Sequence, residues 1–356
     1  MTARTLFLAT LSETCPIDAV SYTGAIDLLC NETTGTGVCG ETLLNAVTEL
    51  SSDLPLQHAD VTILRGLCRG NSGLYLGLAK NRLVVVKEHV FAAGSFLLTS
   101  NVLYELCTLL YMRLARATAF ADVTRCLPNL LQIDTARNSL RIVMEHLPMS
   151  VEDVCDRRLP IPFLTHIFWQ LANVVERLHS LDMCHRDIKP ANIRFRADGT
   201  PVLIDYDSCI LLAKCERYAD TFPICTLSAR APELLVSDAP GSYDAKALDV
   251  FSLGLTFIYM ANTSRPLVPA VGTVEEQSVT LLRSIATLGG GGGSSSLHMR
   301  LGDDLMNIVL KMLQVQPLDR PTMQQVKHML RRPDSPPNCP FNRKKIEPVG
   351  VGVAPV

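Results

Sequence analysis

The segment HRDIKPANIRF, residues 185–195, gathers several polar side chains directly after an apolar run. Asp187 could accept the proton of an attacking hydroxyl and align it, and Lys189 could offset charge that develops on a moving phosphoryl group. Asn192 offers a neutral oxygen to a metal ion. Asp205 follows the apolar run PVLI, and a carboxylate at a strand end suits magnesium, which prefers oxygen ligands. These groups supply part of what phosphoryl transfer from ATP would require, and the remaining parts must be sought elsewhere in the chain.

The elements that must position these residues are predicted from apolar patterning. Residues 60–90 contain short β-like runs broken by glycines, and the β-branched run LVVVK predicts a buried strand. SLRIVMEHL predicts another strand, and the run PVLIDYDS predicts one that ends in Asp205. NVLYELCTLLYMRLA has apolar residues at helical spacing, namely Leu103, Leu106, Leu109 and Leu110.

The second half of the chain is predicted to be mostly helical. The segment FLTHIFWQLANVVERLHSL predicts an amphipathic helix, and ALDVFSLGLTFIYMA predicts a helix buried on all sides. DDLMNIVLKMLQVQPLDRPTMQQVKHML predicts two helices around a Pro-containing turn. TLGGGGGSSSLHM predicts a flexible loop. The buried face of the first helix is expected to carry Ile167, Leu171, Val174, Val175 and Leu178.

Five motifs occur in an order that resembles eukaryotic-type protein kinases: HRDIKPAN, IDYD, ARAPELL, DVFSLG and LDRPT. The resemblance runs from about residue 63 to 330. It implies an α+β, bilobal protein-kinase-like fold, with a small β-rich N-lobe, a larger helical C-lobe and a cleft between them. The divergent motifs and lean loops would suit a viral kinase acting inside a host cell.

The same resemblance implies three regions along the chain. Residues 1–57 form an N-terminal extension in which nothing carries chemistry, and residues 58–332 form the kinase domain. Within it, the N-lobe is expected at about 58–147 and the C-lobe at about 148–332. The Pro-rich tail, residues 333–356, is predicted to be disordered.

The segment LCRGNSGLYL resembles the glycine-rich loop that covers the phosphates of ATP. Gly70 and Gly73 stand where the second and third glycines belong, and they would let the backbone approach phosphate oxygens. Cys68 stands where the first glycine belongs, which is a departure. By itself the GxxG pattern could be an ordinary turn. The nucleotide-binding residues expected here are Leu67, Gly70, Ser72, Gly73 and Tyr75.

VVVK resembles the lysine strand of the family, so Lys87 would hold the α- and β-phosphates. On its own, Lys87 could be a surface charge. Glu105, on the predicted helix, would be its ion-pair partner. Glu88 is the alternative partner, but it adjoins Lys87 and would point to the opposite face of the strand.

IVMEHL resembles the hinge of the family. Met144 would flank the adenine pocket, and backbone groups of Glu145 and Leu147 would hydrogen-bond the base. The resemblance thus implies ATP and Mg²⁺ as cofactors, with Asn192 and Asp205 as the metal ligands.

Other motif residues resemble structural parts of the family. Glu233 of APE and Arg320 of LDRPT would form a buried ion pair, for which the arginine fork is suited. Asp249 would support the backbone of the catalytic loop. His185 is interpreted as a packed core histidine and not as an acid or base.

The pair Lys189–Pro190 resembles the serine/threonine branch of the family. Thr226 stands where that branch keeps a threonine able to bond both Asp187 and Lys189. Arg186 resembles the arginine of kinases that are switched on by activation-segment phosphorylation. Candidate phosphosites are Thr221 and Ser228, with Tyr218 third; alternatively, Arg186 meets a carboxylate such as Asp220 or Glu216.

Two residues depart from the family pattern near the reaction. Asp207 stands where the Asp-Phe-Gly motif ends in glycine, so it lacks the freedom to adopt positive φ and adds a charge near the metals. Tyr206 keeps the aromatic ring of that motif. Arg194 stands where an apolar residue usually lies under adenine, so it must extend away or stack on the base.

Composition limits the classes of partner. The chain has 356 residues with 33 basic and 35 acidic side chains, a net charge of −2, which argues against a protein that coats nucleic acid or a membrane. The twelve cysteines are scattered without CxxC spacing, which favours thiols in a reducing compartment. The start lacks a signal-peptide cleavage pattern, and no run is long and apolar enough to span a membrane. An intracellular location, in the cytoplasm and/or nucleus, is expected.

The function expected from these features is serine/threonine protein kinase activity on protein substrates. The alternative is a pseudokinase, the same fold used as an ATP-binding or protein-interaction scaffold. A small-molecule kinase is less favoured, because RAPELL resembles a segment that positions peptides.

Overall fold

The computed structural model describes residues 54–56, 59–68, 73–90, 105–106, 108–109, 112, 123–136, 139–155, 158–211, 229–236, 243–267, 273–289 and 296–332. They fall into two compact units. The described residues of 1–146, 177–186 and 205–218 form the first unit, and those of 147–176, 187–204 and 219–356 form the second. The first unit is rich in strands and the second in helices, so the predicted α+β class is confirmed.

The first unit is built on a five-stranded antiparallel sheet, in which the third strand of the chain lies between the second and the fifth, and the first and fourth strands form the edges. Its strands include those predicted from LVVVK and SLRIVMEHL. Helical residues around Glu105 and a 3-10 turn at Thr124–Cys126 also belong to this unit. The strands are β1 (Thr62–Cys68), β2 (Gly73–Ala79), β3 (Arg82–Val90), β4 (Leu130–Ala136) and β5 (Ser139–Glu145).

The side chains of β3 alternate between a hydrophobic core on one face and, on the other, the face that carries Lys87. Val84 and Val86 are fully buried in a cluster with Leu56, Ala79 and Val143. Lys87, one residue further along, projects from the opposite face. The hairpin from β2 to β3 turns at Lys80 and Asn81, whose φ angles of 45° and 61° suit a two-residue turn.

A second, two-stranded sheet in the first unit pairs β7 (Met183–Cys184) with β10 (Ile210–Leu211). The segment that leads into β10 carries Asp205 and Asp207.

In the second unit, three short strands form an antiparallel sheet in the order β6-β8-β9. They are β6 (Met149–Ser150), β8 (Ile193–Phe195) and β9 (Pro201–Leu203). The prediction that the last strand reaches Asp205 was wrong, because β9 ends at Leu203. The chain leaves the extended region at Asp205, where φ is 68°.

The helices occupy most of the second unit, and the last residues of α2 (Ile161–Ser180) belong to the first. Ile167, Leu171, Val174, Val175 and Leu178 are all fully buried, which confirms the predicted face of α2. The helices are α1 (Val151–Cys155), α2 (Ile161–Ser180), α3 (Glu233–Val236), α4 (Ala245–Ala261), α5 (Val274–Gly289), α6 (Ser296–Met312) and α7 (Met323–Leu330).

The helix α4 is buried almost throughout, as its apolar sequence predicts. Asp244 caps it by accepting a hydrogen bond from the Ala247 backbone. A side chain at Gly254 would meet Leu313 at 3.0 Å, so the glycine permits close packing against the residues that follow α6.

The predicted pair of helices around a Pro-containing turn is confirmed. A 3-10 turn at Pro317–Asp319 separates α6 from α7, and Thr322 with Gln325 forms a capping box at the start of α7. Of the helices in the described ranges, none has the length and apolar character needed to cross a membrane.

Candidate active site

In the first unit, Lys87 lies at the centre of a cluster of acidic side chains. Its Nζ donates to Oε1 of Glu105 at 2.9 Å and to Oδ1 of Asp205 at 3.0 Å, and it lies 3.8 Å from Oδ2 of Asp207. We call these four residues the phosphate-anchor cluster. The neighbouring Glu88 instead accepts from Nε of Arg141 at 2.7 Å. The structure therefore pairs Lys87 with Glu105 and not with Glu88.

The electrostatics of this cluster keep Lys87 charged. Burial of the ammonium would lower its pKa, but Glu105, Asp205 and Asp207 together outweigh that effect and raise the pKa above its ordinary value. Lys87 is thus a fixed cation, which is the property needed to anchor phosphate oxygens.

In the IDYD motif, the residue with positive φ is not the one that replaces the glycine of the family pattern. Asp205 adopts a left-handed φ of 68°, whereas Asp207 does not adopt positive φ. The unusual conformation therefore falls on a residue type that tolerates it better than most. Tyr206 is 1% exposed, and its ring centroid lies 4.9 Å from that of the buried His185. His185 is placed as a core histidine would be.

Arg186 also has a left-handed backbone, with φ of 63°, and its Nε donates to the Ser208 carbonyl at 2.7 Å. This bond ties the residue before Asp187 to the segment after Asp205. Thr226 lies outside the described part of the chain. The same is true of the candidate phosphosites, Tyr218, Thr221 and Ser228, and of the possible carboxylate partners of Arg186, Glu216 and Asp220.

In the second unit, Asp187 is held by two neighbours from its own loop. Lys189 Nζ donates to Oδ2 of Asp187 at 2.6 Å, and Asn192 Nδ2 donates to the same oxygen at 3.1 Å and to the Asp187 carbonyl at 2.9 Å. We call these three residues the catalytic-loop cluster. Since the amide nitrogen of Asn192 faces Asp187, its amide oxygen is the atom that a metal ion would use.

Local sequence explains how this loop is formed. Lys189 is extended, and Pro190, whose φ is fixed near the helical value, begins a 3-10 turn that runs to Asn192. The Asn192 carbonyl accepts from the Ile204 backbone at 2.9 Å, at the end of β9. The turn and the strand together fix the position of Asn192 relative to Asp187.

The predicted nucleotide-binding residues lie on several elements. Leu67 is half-buried on β1, and Gly73 and Tyr75 are on β2, whereas Gly70 and Ser72 lie outside the described residues. A Cβ at Gly73 would lie 2.5 Å from Cε2 of Tyr75. The Tyr75 ring therefore covers the position where a larger residue would place its side chain.

The predicted hinge residues flank the end of β5. Met144 and Glu145 are its last residues, and Leu147, which is buried, begins the second unit. The Glu145 backbone donates to the Asn129 carbonyl, and a Glu145 carboxylate oxygen accepts from the Asn129 backbone at 2.9 Å. These two bonds hold the end of β5 to the residue before β4.

Arg320 forms the predicted ion pair with Glu233. Two hydrogen bonds of 2.7 and 2.6 Å join the guanidinium to the carboxylate. The guanidinium also donates to the carbonyls of Gln314, Ala247 and Val315. Asp249 is fully buried in α4, and its support of the catalytic loop stays a prediction.

One residue near the phosphate-anchor cluster was missed by the sequence analysis. His89 lies on β3, with Nε2 at 3.7 Å from Oε2 of Glu105. The signal was its position two residues after Lys87, which puts both side chains on one face of the strand.

Comparison with known proteins identifies the family of the chain. The family described as "Protein kinase domain" matches residues 79–330. The chain is 28% identical to "Probable serine/threonine-protein kinase glkA" of Dictyostelium discoideum, over 45% of this chain and 33% of that protein. It is 31% identical to "Probable serine/threonine-protein kinase CHK1 homolog" of Encephalitozoon cuniculi, over 42% of this chain and 34% of that protein.

A third similar protein is "Serine/threonine-protein kinase ENV7" of Saccharomyces cerevisiae, 31% identical over 44% of this chain and 43% of that protein. The matches thus span about a third to two fifths of the length of these relatives. The family match covers more than half of this chain, and the resemblance to eukaryotic-type kinases is confirmed. The chain belongs to the protein kinase domain family.

Proposed function

We propose that the protein transfers the γ-phosphoryl group of ATP to serine or threonine hydroxyls of protein substrates, with Mg²⁺ as cofactor. The observation that carries the proposal is the pair of contacts from Lys87, to Glu105 and to Asp205. A buried cation held by one carboxylate, with a second carboxylate beside it, suits the binding of a phosphate chain and its metal ion.

Three residues of the phosphate-anchor cluster, Lys87, Glu105 and Asp205, have distinct roles in this proposal, together with Asn192 of the catalytic-loop cluster. Lys87 binds the α- and β-phosphate oxygens, and Glu105 holds Lys87 in place. Asp205, through its carboxylate, and Asn192, through its amide oxygen, are the residues that would hold Mg²⁺, and their oxygen donors fit that ion. When bound, Mg²⁺ neutralises charge on the phosphates. The nucleotide itself is bound by residues of β1 and β2 and of the hinge.

The catalytic-loop cluster acts on the attacking hydroxyl. Asp187 orients the serine or threonine hydroxyl and accepts its proton. Lys189, whose Nζ lies 2.6 Å from the Asp187 carboxylate, supplies positive charge for the transferred phosphoryl group. Asn192 keeps the Asp187 carboxylate from rotating, because it donates to both its side chain and its backbone.

The residues also argue against a scaffold without activity. A pseudokinase has no need for the full set of catalytic groups, yet this chain keeps Lys87, Glu105, Asp187, Asn192 and Asp205. We further propose that the protein acts inside the cell, in the cytoplasm and/or nucleus. Buried cysteine thiols at 126, 155, 184 and 209 support this location.

The proposal is tested by incorporation of labelled phosphate, into the protein itself and into a serine/threonine peptide library. Wild type is compared with Asp187→Ala and with a control, Asp303→Ala, which changes an exposed residue of α6. We expect incorporation in wild type and in the control, and a loss of at least about a hundredfold in Asp187→Ala. Equal incorporation in all three, or none in wild type, would favour the scaffold.

A further inference from the structure

His89 is a buried ionisable side chain beside the Lys87–Glu105 pair that the proposed mechanism does not use. It is 9% exposed, and its Nε2 lies 3.7 Å from Oε2 of Glu105. Both atoms are buried, and neither has a hydrogen-bond partner among the described residues. Two complementary polar atoms thus face each other at slightly more than hydrogen-bond distance.

The groups around Glu105 indicate why a contact between His89 and its Oε2 atom would matter. Lys87 Nζ lies 2.9 Å from each carboxylate oxygen, but its hydrogen bond goes to Oε1. In the described part of the chain, Lys87 and His89 are the polar groups that contact Glu105. On β5, the residues opposite Lys87 and His89 are Ile142 and Leu140, both buried and apolar. Among such apolar neighbours Oε2, which shares the Lys87 ammonium with Oε1, would be stabilised by a hydrogen-bond donor of its own.

We propose that His89 is a positioning residue for Glu105. Its Nε2–H donates to Oε2, while Lys87 donates to Oε1, so the carboxylate is held at both oxygens. An approach of about 0.5–1 Å brings the two atoms to ordinary hydrogen-bond distance. The inference rests on the proposed function, because its consequence is that Lys87 is presented to the phosphates of ATP in one fixed position.

The consequence for kinetics follows from the role of Lys87 in binding. If Glu105 rotates away, Lys87 is drawn to Asp205 and Asp207, which lie 3.0 and 3.8 Å from it. The nucleotide then loses an anchor in the ground state as well as in the transition state. Loss of such binding raises KM for ATP with a smaller change in kcat. A merely structural defect lowers the folded fraction, which reduces apparent kcat and leaves KM unchanged.

Two variants that differ by one methylene test the proposal. In His89→Gln the amide nitrogen reaches the position of Nε2, whereas in His89→Asn the amide falls short of Glu105. We expect His89→Gln to keep KM for ATP within about threefold of wild type, and His89→Asn to raise it roughly tenfold. Thermal unfolding of both variants shows whether each is folded. A third variant, His89→Leu, has an apolar side chain of similar size, and we expect its KM for ATP to rise as in His89→Asn.

Nucleotide affinity, which does not require phosphate transfer, tests the role of His89 independently of the proposed kinase activity. The affinity for a fluorescent ADP analogue is measured for the same variants, and the expected order is wild type and His89→Gln above His89→Asn and His89→Leu. If wild type transfers no phosphate but this order holds, the proposed function fails and the role of His89 stands. Equal affinities and equal KM values in all folded variants, or a glutamine variant as impaired as the asparagine variant, would overturn the role of His89.

Discussion

The guanidinium of Arg320 and the carboxylate of Glu233 are joined by two parallel hydrogen bonds, at 2.7 and 2.6 Å, and the arginine side chain is fully buried. Removal of Arg320 leaves the Glu233 carboxylate, which is only 17% exposed, without this charged partner. We expect Arg320→Ala to lower the free energy of unfolding by about 3–5 kcal/mol, as measured by urea denaturation. Arg265→Ala, at an exposed position, is the control and should stay within about 0.5 kcal/mol of wild type. A loss in Arg320→Ala no larger than in the control would contradict the proposed importance of this pair.

Substitutions at Glu105 and Glu88 provide a matched test of which carboxylate is the ion-pair partner of Lys87. Glu105→Gln removes the charge at 2.9 Å from Lys87, so kcat/KM for ATP should fall at least about tenfold. Glu88→Gln affects an exposed hydrogen bond to Arg141 on the opposite face of β3, so kcat/KM should remain close to wild type. Steady-state kinetics with varied ATP compares the two, and a larger effect at position 88 would show that the assignment is wrong.

The pKa of Lys87 predicts how its contribution to stability depends on pH. Its pKa in the folded protein is raised above the ordinary value of 10.5, because the three carboxylates outweigh the effect of burial. The stabilisation is therefore complete below that ordinary value and is lost as pH rises through the higher folded value.

Wild type and Lys87→Met can be compared by denaturation at several pH values. We expect the difference in free energy of unfolding to be constant between about pH 7 and 9, and wild type to lose stability relative to the variant at more alkaline pH. Lys80→Met, at an exposed turn residue, should show no comparable alkaline change. A difference that already changes near neutral pH is incompatible with a raised pKa.

Two substitutions at Asp207 can distinguish the effect of its negative charge from the effect of its backbone conformation. Because Asp207 does not adopt positive φ, glycine would relieve no strain there, and the charge is the property that matters. Asp207→Asn and Asp207→Gly should therefore raise the Mg²⁺ concentration for half-maximal transfer to a similar extent, about two- to fivefold. Titration of activity with Mg²⁺ measures this, and a glycine variant that differs strongly from the asparagine variant would indicate a backbone effect.

Gly73 and Tyr75 are predicted to be coupled. A Cβ at position 73 would lie 2.5 Å from Cε2 of Tyr75, so Gly73→Ala must displace the tyrosine ring. We expect Gly73→Ala to raise KM for ATP roughly fivefold, and Gly73→Ala with Tyr75→Val to recover part of that loss. A double-mutant cycle on KM gives the coupling, and additive effects of the two substitutions would show that the ring is not the obstacle.

Several elements could be predicted from local pattern because one physical rule decided each of them. The β-branched run LVVVK identified β3 as a strand, along which side chains alternate between the two faces. The same alternation excluded Glu88 as the partner of Lys87. Helical spacing identified the buried face of α2. These rules act over a few residues, so the sequence contains all the information that they need.

The contacts that were missed depend on how separate elements meet. The approach of His89 to Glu105 requires the register of a helix against β3, which no short pattern specifies. β9 ends at Leu203, two residues before the left-handed Asp205, and an aspartate in a sequence does not reveal its φ angle. The bond from Arg186 to the Ser208 carbonyl likewise involves a backbone group, which every residue has.

The left-handed conformations of Arg186 and Asp205 affect how the loop is best studied by mutagenesis. Alanine at position 205 would remove the carboxylate and, because an unbranched Cβ without a polar group disfavours this region, would also shift the backbone. A loss of activity would then have two causes that an assay cannot distinguish. Asparagine retains the shape and tolerates the same φ, so it is the substitution from which the contribution of the negative charge alone can be measured.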